Sequence, residues 1–305
     1  MIEPTLNYVA CPGAAANALN DQHRMAYWEW NQTGNPAHPH VIVCVHGLTR
    51  QGRDFDVVAQ ALSRHARVVC PDVVGRGCSD WLADPMAYAL PQYVADMQAL
   101  MAQLHAQAPI QTLDWLGTSM GGLIGMCIAG SEAAVPPVVP IRKLLLNDVG
   151  PVLEWPALER IASYVGGGGV YAQAAQAIQA LRDIAPGFGP HTDAQWQALS
   201  WPMLRQVADN QWRLHYDPAI ALPFKALTQV QSEQGQAALW ALYEGIKAQT
   251  LLVRGADSDL LSRQTAQAMA DCGPQAVCIE LEGVGHAPTL VVDDQVAIVR
   301  DFFFG

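Results

Sequence analysis

The chain has 305 residues, of which 51% are hydrophobic and 15% charged, and its formal net charge is −11. This composition suits a large buried core and argues against disorder. The acidic balance argues against a nucleic-acid partner or an anionic membrane surface, because both call for a basic face.

"RMAYWEWNQTG" (24–34) alternates apolar and polar residues and ends in a turn signal, so it predicts an early strand. "HVIVCVHG" (40–47) is a continuous apolar run ending in glycine, the pattern of a strand buried on both faces. "FDVVAQALSRH" (55–65) has helical spacing, "ARVVCPD" (66–72) predicts a second buried strand, and "YVADMQALMAQLHA" (93–106) an amphipathic helix. "IQTLDWLG" (110–117) predicts a third buried strand that runs into a helix from Met120, and "IRKLLLNDVG" (141–150) a fourth. Alternating strands and helices, with the strands uniformly apolar, predict a mostly parallel sheet covered by helices on both faces.

The alternation stops near residue 151. From "PVLEWPALERIASYVGGGG" to "ALWALYEGI" the text is helical, rich in tryptophan, and without a strand signal. "AQTLLVRG" (248–255), "AVCIELEG" (276–283) and a last helix near "DDQVAIVRDFFF" then resume the sheet pattern. The expected organisation is one α/β core in two parts, 1–150 and 246–305, interrupted by a helical cap at 151–245. The tryptophans of the insert, with Trp81, suggest an apolar cleft between cap and sheet.

The N-terminus "MIEPTLNYVACPG" has no basic stretch followed by an apolar one, so no signal peptide is expected. No apolar run reaches about 18 residues without a charge or proline, so no membrane span is expected either. The seven cysteines are odd in number, include no C-x-x-C pair and fall partly in apolar runs, which fits thiols in a reducing cytoplasm. The histidines of "HPH" (38–40) have no partner cluster in the sequence, and no metal site is expected from them.

The chemistry concentrates at "GTSMG". A sharp strand–turn–helix would hold Ser119 in a strained backbone conformation above the sheet, with small neighbours at 117 and 121 making room for the turn. A serine hydroxyl needs a base to take its proton and an acid to orient that base. His286, in "EGVGHAPTL" between the last strand and the last helix, is the expected base. "LLVRGADSDLLS" places Asp257 and Asp259 just past a strand end. Asp259 is the favoured acid. Asp148, in "LLLNDVG", is a third candidate and reads more readily as a hydrogen-bonding loop residue. The oxyanion needs two amides: Met120, next to the nucleophile, and Leu48 of "CVHGLTRQGRDF", where Gly47 allows close backbone approach. His46 reads as a structural loop residue.

"HGLT", "DVVGRGCSD", "GTSMGG", "RGADSDLLS" and "GVGHAPTL", in that order, resemble the α/β-hydrolase fold from about residue 25 to the end. The resemblance implies a cofactor-free hydrolase using Ser119, an acidic residue and His286, with the insert as the family's variable cap. In the acid segment the family often carries a single Asp three residues after the glycine, and that place is Ser258 here. Relatives that cleave carbon–halogen bonds or epoxides carry Asp at the nucleophile position, so Ser119 points to acyl chemistry.

These readings converge on a cytoplasmic serine esterase acting on a small-to-medium acyl ester through an acyl-enzyme. A carbon–carbon hydrolase of ring-cleavage dienoates, a lactonase, and a non-hydrolytic ligand receptor on the same fold are the alternatives. The expected partner is a small-molecule ester, and the sequence leaves the oligomeric state open.

Overall fold

The computed structural model describes residues 2–13, 22–132 and 137–305. Eight strands form one sheet: β1 (Thr5–Pro12), β2 (Gln22–Trp30), β3 (His40–Val45), β4 (Arg67–Pro71), β5 (Thr112–Thr118), β6 (Ile141–Asn147), β9 (Gln249–Gly255) and β10 (Val277–Leu281). Their order is β1-β2-β4-β3-β5-β6-β9-β10. The first two strands pair antiparallel and lead antiparallel into β4, and every pairing beyond β4 is parallel. The edge strand β1 was not expected.

Alternation along each central strand sends side chains to two separate cores. From β3, Val41, Val43 and Val45 enter one core, while Ile42 and Cys44 enter the other. Leu144 and Leu146 of β6 likewise part from Leu145. Each face therefore needs a helical layer to exclude water. Helices α1 (Asp56–Leu62) and α10 (Asp293–Phe304) pack together on one side. On the other side α2 (Leu90–Gln107) packs against β1, and α3 (Met120–Gly130) against β5.

The segment between β6 and β9 departs from the expected insert in two respects. It holds α4 (Trp155–Tyr164), α5 (Ala174–Asp183), α6 (Asp193–Ser200), α7 (Ala221–Ala226) and α8 (Gln229–Gly245), but also an antiparallel pair, β7 (Leu204–Ala208) with β8 (Gln211–Leu214). Its turn places Asn210 at φ 55°, a left-handed conformation that Asn tolerates better than most residues. Second, α8 belongs with the core layer. A Cβ at Gly130 would lie 2.1 Å from the Leu242 carbonyl oxygen, so α3 and α8 touch backbone to backbone. The start of α8 is fixed by a reciprocal cap, in which Thr228 accepts from the Gln231 amide and the Gln231 side chain accepts from the Thr228 amide.

Candidate active site

Ser119 sits at φ 52° and ψ −117°, between the end of β5 and the start of α3. A non-glycine residue in that region carries roughly 1–3 kcal/mol of strain. The surrounding backbone leaves the turn no alternative. A Cβ at Gly117 would stand 2.3 Å from the Gly121 carbonyl oxygen, and one at Gly121 would stand 1.9 Å from that of Val45 in β3. The Ser119 amide donates to the Asn147 carbonyl (3.0 Å), which fastens the elbow to the end of β6.

The Ser119 hydroxyl lies 3.0 Å from His286 Nε2, and His286 Nδ1 lies 2.8 Å from Asp148 Oδ2. Asp148 is fully buried, whereas the imidazole is 11% exposed. With the carboxylate as acceptor, the neutral imidazole carries its proton on Nδ1 and turns the Nε2 lone pair toward the serine.

This corrects the expectation for the acid. Asp259 does not meet His286: its carboxylate is held by Arg160 of α4, with Nε at 2.6 Å and Nη2 at 2.8 Å. Burial raises the Asp259 carboxyl, and the Arg160 guanidinium more than offsets this, so it is held below the ordinary carboxylate range. Asp257 is exposed, and its backbone amide donates to Val284.

Sheet order explains why Asp148 is favoured. β6 lies between β5, which carries Ser119, and β9, which carries the Asp257–Asp259 loop, so its end is next to the serine. Asp148 also adopts φ 56°, which turns its carboxylate inward to collect two further donors. The Gly255 amide donates to Oδ1 (2.9 Å), and the Ser258 hydroxyl donates to Oδ2 (2.6 Å), the same oxygen that faces His286. With the His286 imidazole, the buried carboxylate therefore has three hydrogen-bond partners in place of water.

Leu48 follows Gly47, where a Cβ would be 3.7 Å from that of Ser119, so the loop after β3 runs directly beside Ser119. Among the described residues, neither the Leu48 amide nor the Met120 amide has a hydrogen-bond acceptor. His46 is structural, as expected. Its Nε2 accepts from the Val73 amide (3.0 Å), Nδ1 donates to the Gly47 carbonyl (2.7 Å), and burial pushes its pKa down to about 3.

Arg76 was missed in the sequence reading. It is fully buried, and Nε donates to the Leu48 carbonyl (2.8 Å), Nη1 donates to Val74 O (2.7 Å) and Tyr93 Oη (3.1 Å), and Nη2 lies 3.6 Å from Met120 Sδ. One guanidinium therefore touches both the Leu48 loop and Met120, the residue after Ser119. The available signal was the charged residue inside the glycine-rich turn "VVGRGCSD".

The cleft above Ser119 is walled by Ile161, Leu181, Ile184 and Phe188, with Arg50 and Arg160 as its cations. The tryptophans expected there pack elsewhere. Trp196 stacks behind Phe188 with ring centroids 6.0 Å apart, Trp201 leans on Trp212, and exposed Trp81 carries the Arg213 guanidinium at 5.1 Å. Of the two histidines in "HPH", His40 is committed to Asp114 at 2.7 Å. A different trio, Cys11, His23 and Asp96, brings ligating atoms close together, with His23 Nε2 3.0 Å from Asp96 Oδ2. The cysteines are free thiols, and no helix among the described residues is long and apolar enough to cross a membrane.

An elbow-borne serine, a late-loop histidine and a buried carboxylate at the ends of parallel strands are the arrangement of the α/β-hydrolase class. Residues 42–300 match the Alpha/beta hydrolase family, and the chain belongs to that family. It is 48% identical over 305 residues to a 3-hydroxybutyrate-oligomer hydrolase of Cupriavidus necator, across 99% of this chain and 98% of the relative. Its fold is also similar to that of an alpha/beta hydrolase from Novosphingobium aromaticivorans, with a TM-score of 0.81 and 33% identity over 99% of this chain and 98% of that one.

Proposed function

We propose that the chain hydrolyses short oligoesters of a hydroxy acid, of the 3-hydroxybutyrate type, through a serine acyl-enzyme. Ser119 is the nucleophile, His286 the base and Asp148 the acid that orients it. The Ser119 proton passes to His286 Nε2 as the oxygen attacks the ester carbonyl. The Leu48 and Met120 amides receive the charge that develops on the carbonyl oxygen. Collapse of the tetrahedral adduct returns that proton to the leaving hydroxyl, and water, deprotonated by the same imidazole, releases the acyl group.

The observation that carries this reading is the unbroken Ser119–His286–Asp148 hydrogen-bond chain. The ester class is supported by the full-length relative and by an apolar cleft that also carries cations. Segment 151–227 acts as the cap, because it supplies Arg160, Ile161 and Phe188 to the cleft wall.

The test is turnover of 3-hydroxybutyrate dimer and trimer, and of p-nitrophenyl butyrate, by the wild type and by Ser119→Ala. Release of monomer that is lost in the variant supports the proposal. Hydrolysis that persists in Ser119→Ala, or no turnover of any of these esters, overturns it.

A further inference from the structure

The two arginines of the cleft are held very differently. Arg50 is spent: Nε and Nη2 grip Asp54 at 2.7 and 2.6 Å, and Nη2 also donates to the Leu199 carbonyl (2.8 Å). That pair is largely buried, with side chains 14% and 19% exposed, and it ties the loop after β3 to α6. Arg160 stands in the open. Its partner Asp259 is 47% exposed, and the Arg160 side chain itself 37%. An ion pair in such a setting contributes about 0–1 kcal/mol, so a competing carboxylate can enter it at little cost. Tyr164, one helical turn further along α4, lines the same cleft, as do Ser119 and His286.

Asp259 already shows what the Arg160 fork accepts: a carboxylate, gripped through two parallel N–H bonds. The same cleft also offers apolar wall, from Ile161, Leu181, Ile184 and Phe188. A ligand with a carboxylate at one end and methyl-bearing ester units along its length matches both features.

We propose that Arg160 is the subsite for the free carboxylate end of the substrate, so that the enzyme selects anionic, acid-terminated oligoesters over their neutral counterparts. Asp259 holds the guanidinium in place and yields to the incoming carboxylate. This inference rests on the oligoester reading above, and it makes Arg160 a specificity-determining residue on the cap.

The experiment compares kcat/KM for a 3-hydroxybutyrate dimer as the free acid and as its methyl ester, taken as a ratio within each protein. The ratio cancels any general loss of folding or of chemistry. The wild type is expected to favour the free acid, and the preference should fall as ionic strength rises. Arg160→Gln should lower the ratio about 10- to 100-fold, through KM, because a charge-assisted bidentate contact is lost. Arg160→Lys should retain part of it. Asp259→Asn removes the competing carboxylate and should raise the ratio. A ratio unchanged in Arg160→Gln, or lowered in Asp259→Asn, overturns the proposal. If the wild type hydrolyses neither dimer form nor p-nitrophenyl butyrate, the oligoester reading has failed instead. Turnover of both dimer forms at equal rates would leave that reading standing and remove only the carboxylate subsite.

Discussion

The ends of β6 and β9 offer the same residue type to the same histidine, and they use it in opposite ways. Asp148 at the end of β6 is fully buried, in a left-handed backbone conformation, with three donors on its carboxylate. Asp259, in the loop after β9, is half-exposed and faces the guanidinium of Arg160. Between them Ser258 occupies the place where an acid often stands in this fold, and donates its hydroxyl to Asp148. Distance along the chain from a strand end does not decide which carboxylate serves the histidine. Strand order and the supply of buried donors decide it.

The comparison is broken most strongly by removing one carboxylate at a time. Asp148→Asn should lower kcat by about 10⁴-fold, since the amide favours the wrong imidazole tautomer. Asp259→Asn should cost less than about tenfold, because the loss of an exposed ion pair is worth about 1 kcal/mol at most. Steady-state assays on p-nitrophenyl butyrate, a neutral ester, check both. Losses in the reverse order would move the acid to the β9 loop.

A gain-of-function variant sharpens the point. Adding Ser258→Asp to Asp148→Asn returns a carboxylate beside His286, and kcat should rise by about 10- to 100-fold over the single variant, a fraction of what was lost. No recovery would mean that position 258 cannot reach the imidazole and supports Asp148 only through its hydroxyl.

Ser258→Ala should act more gently. It removes one donor from the Asp148 oxygen that faces His286, worth about 1 kcal/mol, and should lower kcat about fivefold. An unchanged kcat would reduce Ser258 to a loop-stabilising role.

The smallest effect concerns two further strand ends, those of β3 and β4. Burial pushes His46 down to about 3, so between its ordinary 6.5 and 3 the unfolded chain binds a proton that the folded one refuses, and stability falls as the pH drops. Asp72 runs the other way. Burial raises it to about 6, so between 6 and its ordinary 3.8 the folded chain holds a proton that the unfolded one releases, and stability rises as the pH drops. The two offset each other in that overlap. Asp72→Asn should uncover the His46 contribution, and its Tm should fall more steeply than that of the wild type from pH 6 to pH 4. Parallel Tm curves by calorimetry would contradict this assignment.

Most of the central sheet was legible in the sequence because β3 to β6 and β9 are largely buried on both faces and each carries an apolar stretch. β1 was not: "TLNYVACP" is a mixed edge strand that pairs with β2 alone among the described residues. The β7–β8 pair was hidden in "LRQVADNQWRL", where the Asp209–Asn210 turn was the one local signal. That Ser119 and His286 come together was legible because glycine-bracketed turns announce them. Which carboxylate meets His286 was not, because the sequence carries aspartates at both strand ends, and only the position of β6 between β5 and β9 separates them. The tryptophans misled for a related reason, since composition shows that aromatic rings are present but not which way they face.

The central claim is the hydrogen bond between His286 Nδ1 and the buried Asp148, and proton NMR reports on it directly. A strongly downfield exchangeable resonance should appear in the wild type, persist in Asp259→Asn, and vanish in His286→Ala and in Asp148→Asn. A resonance that survives Asp148→Asn and is lost in Asp259→Asn would contradict the assignment.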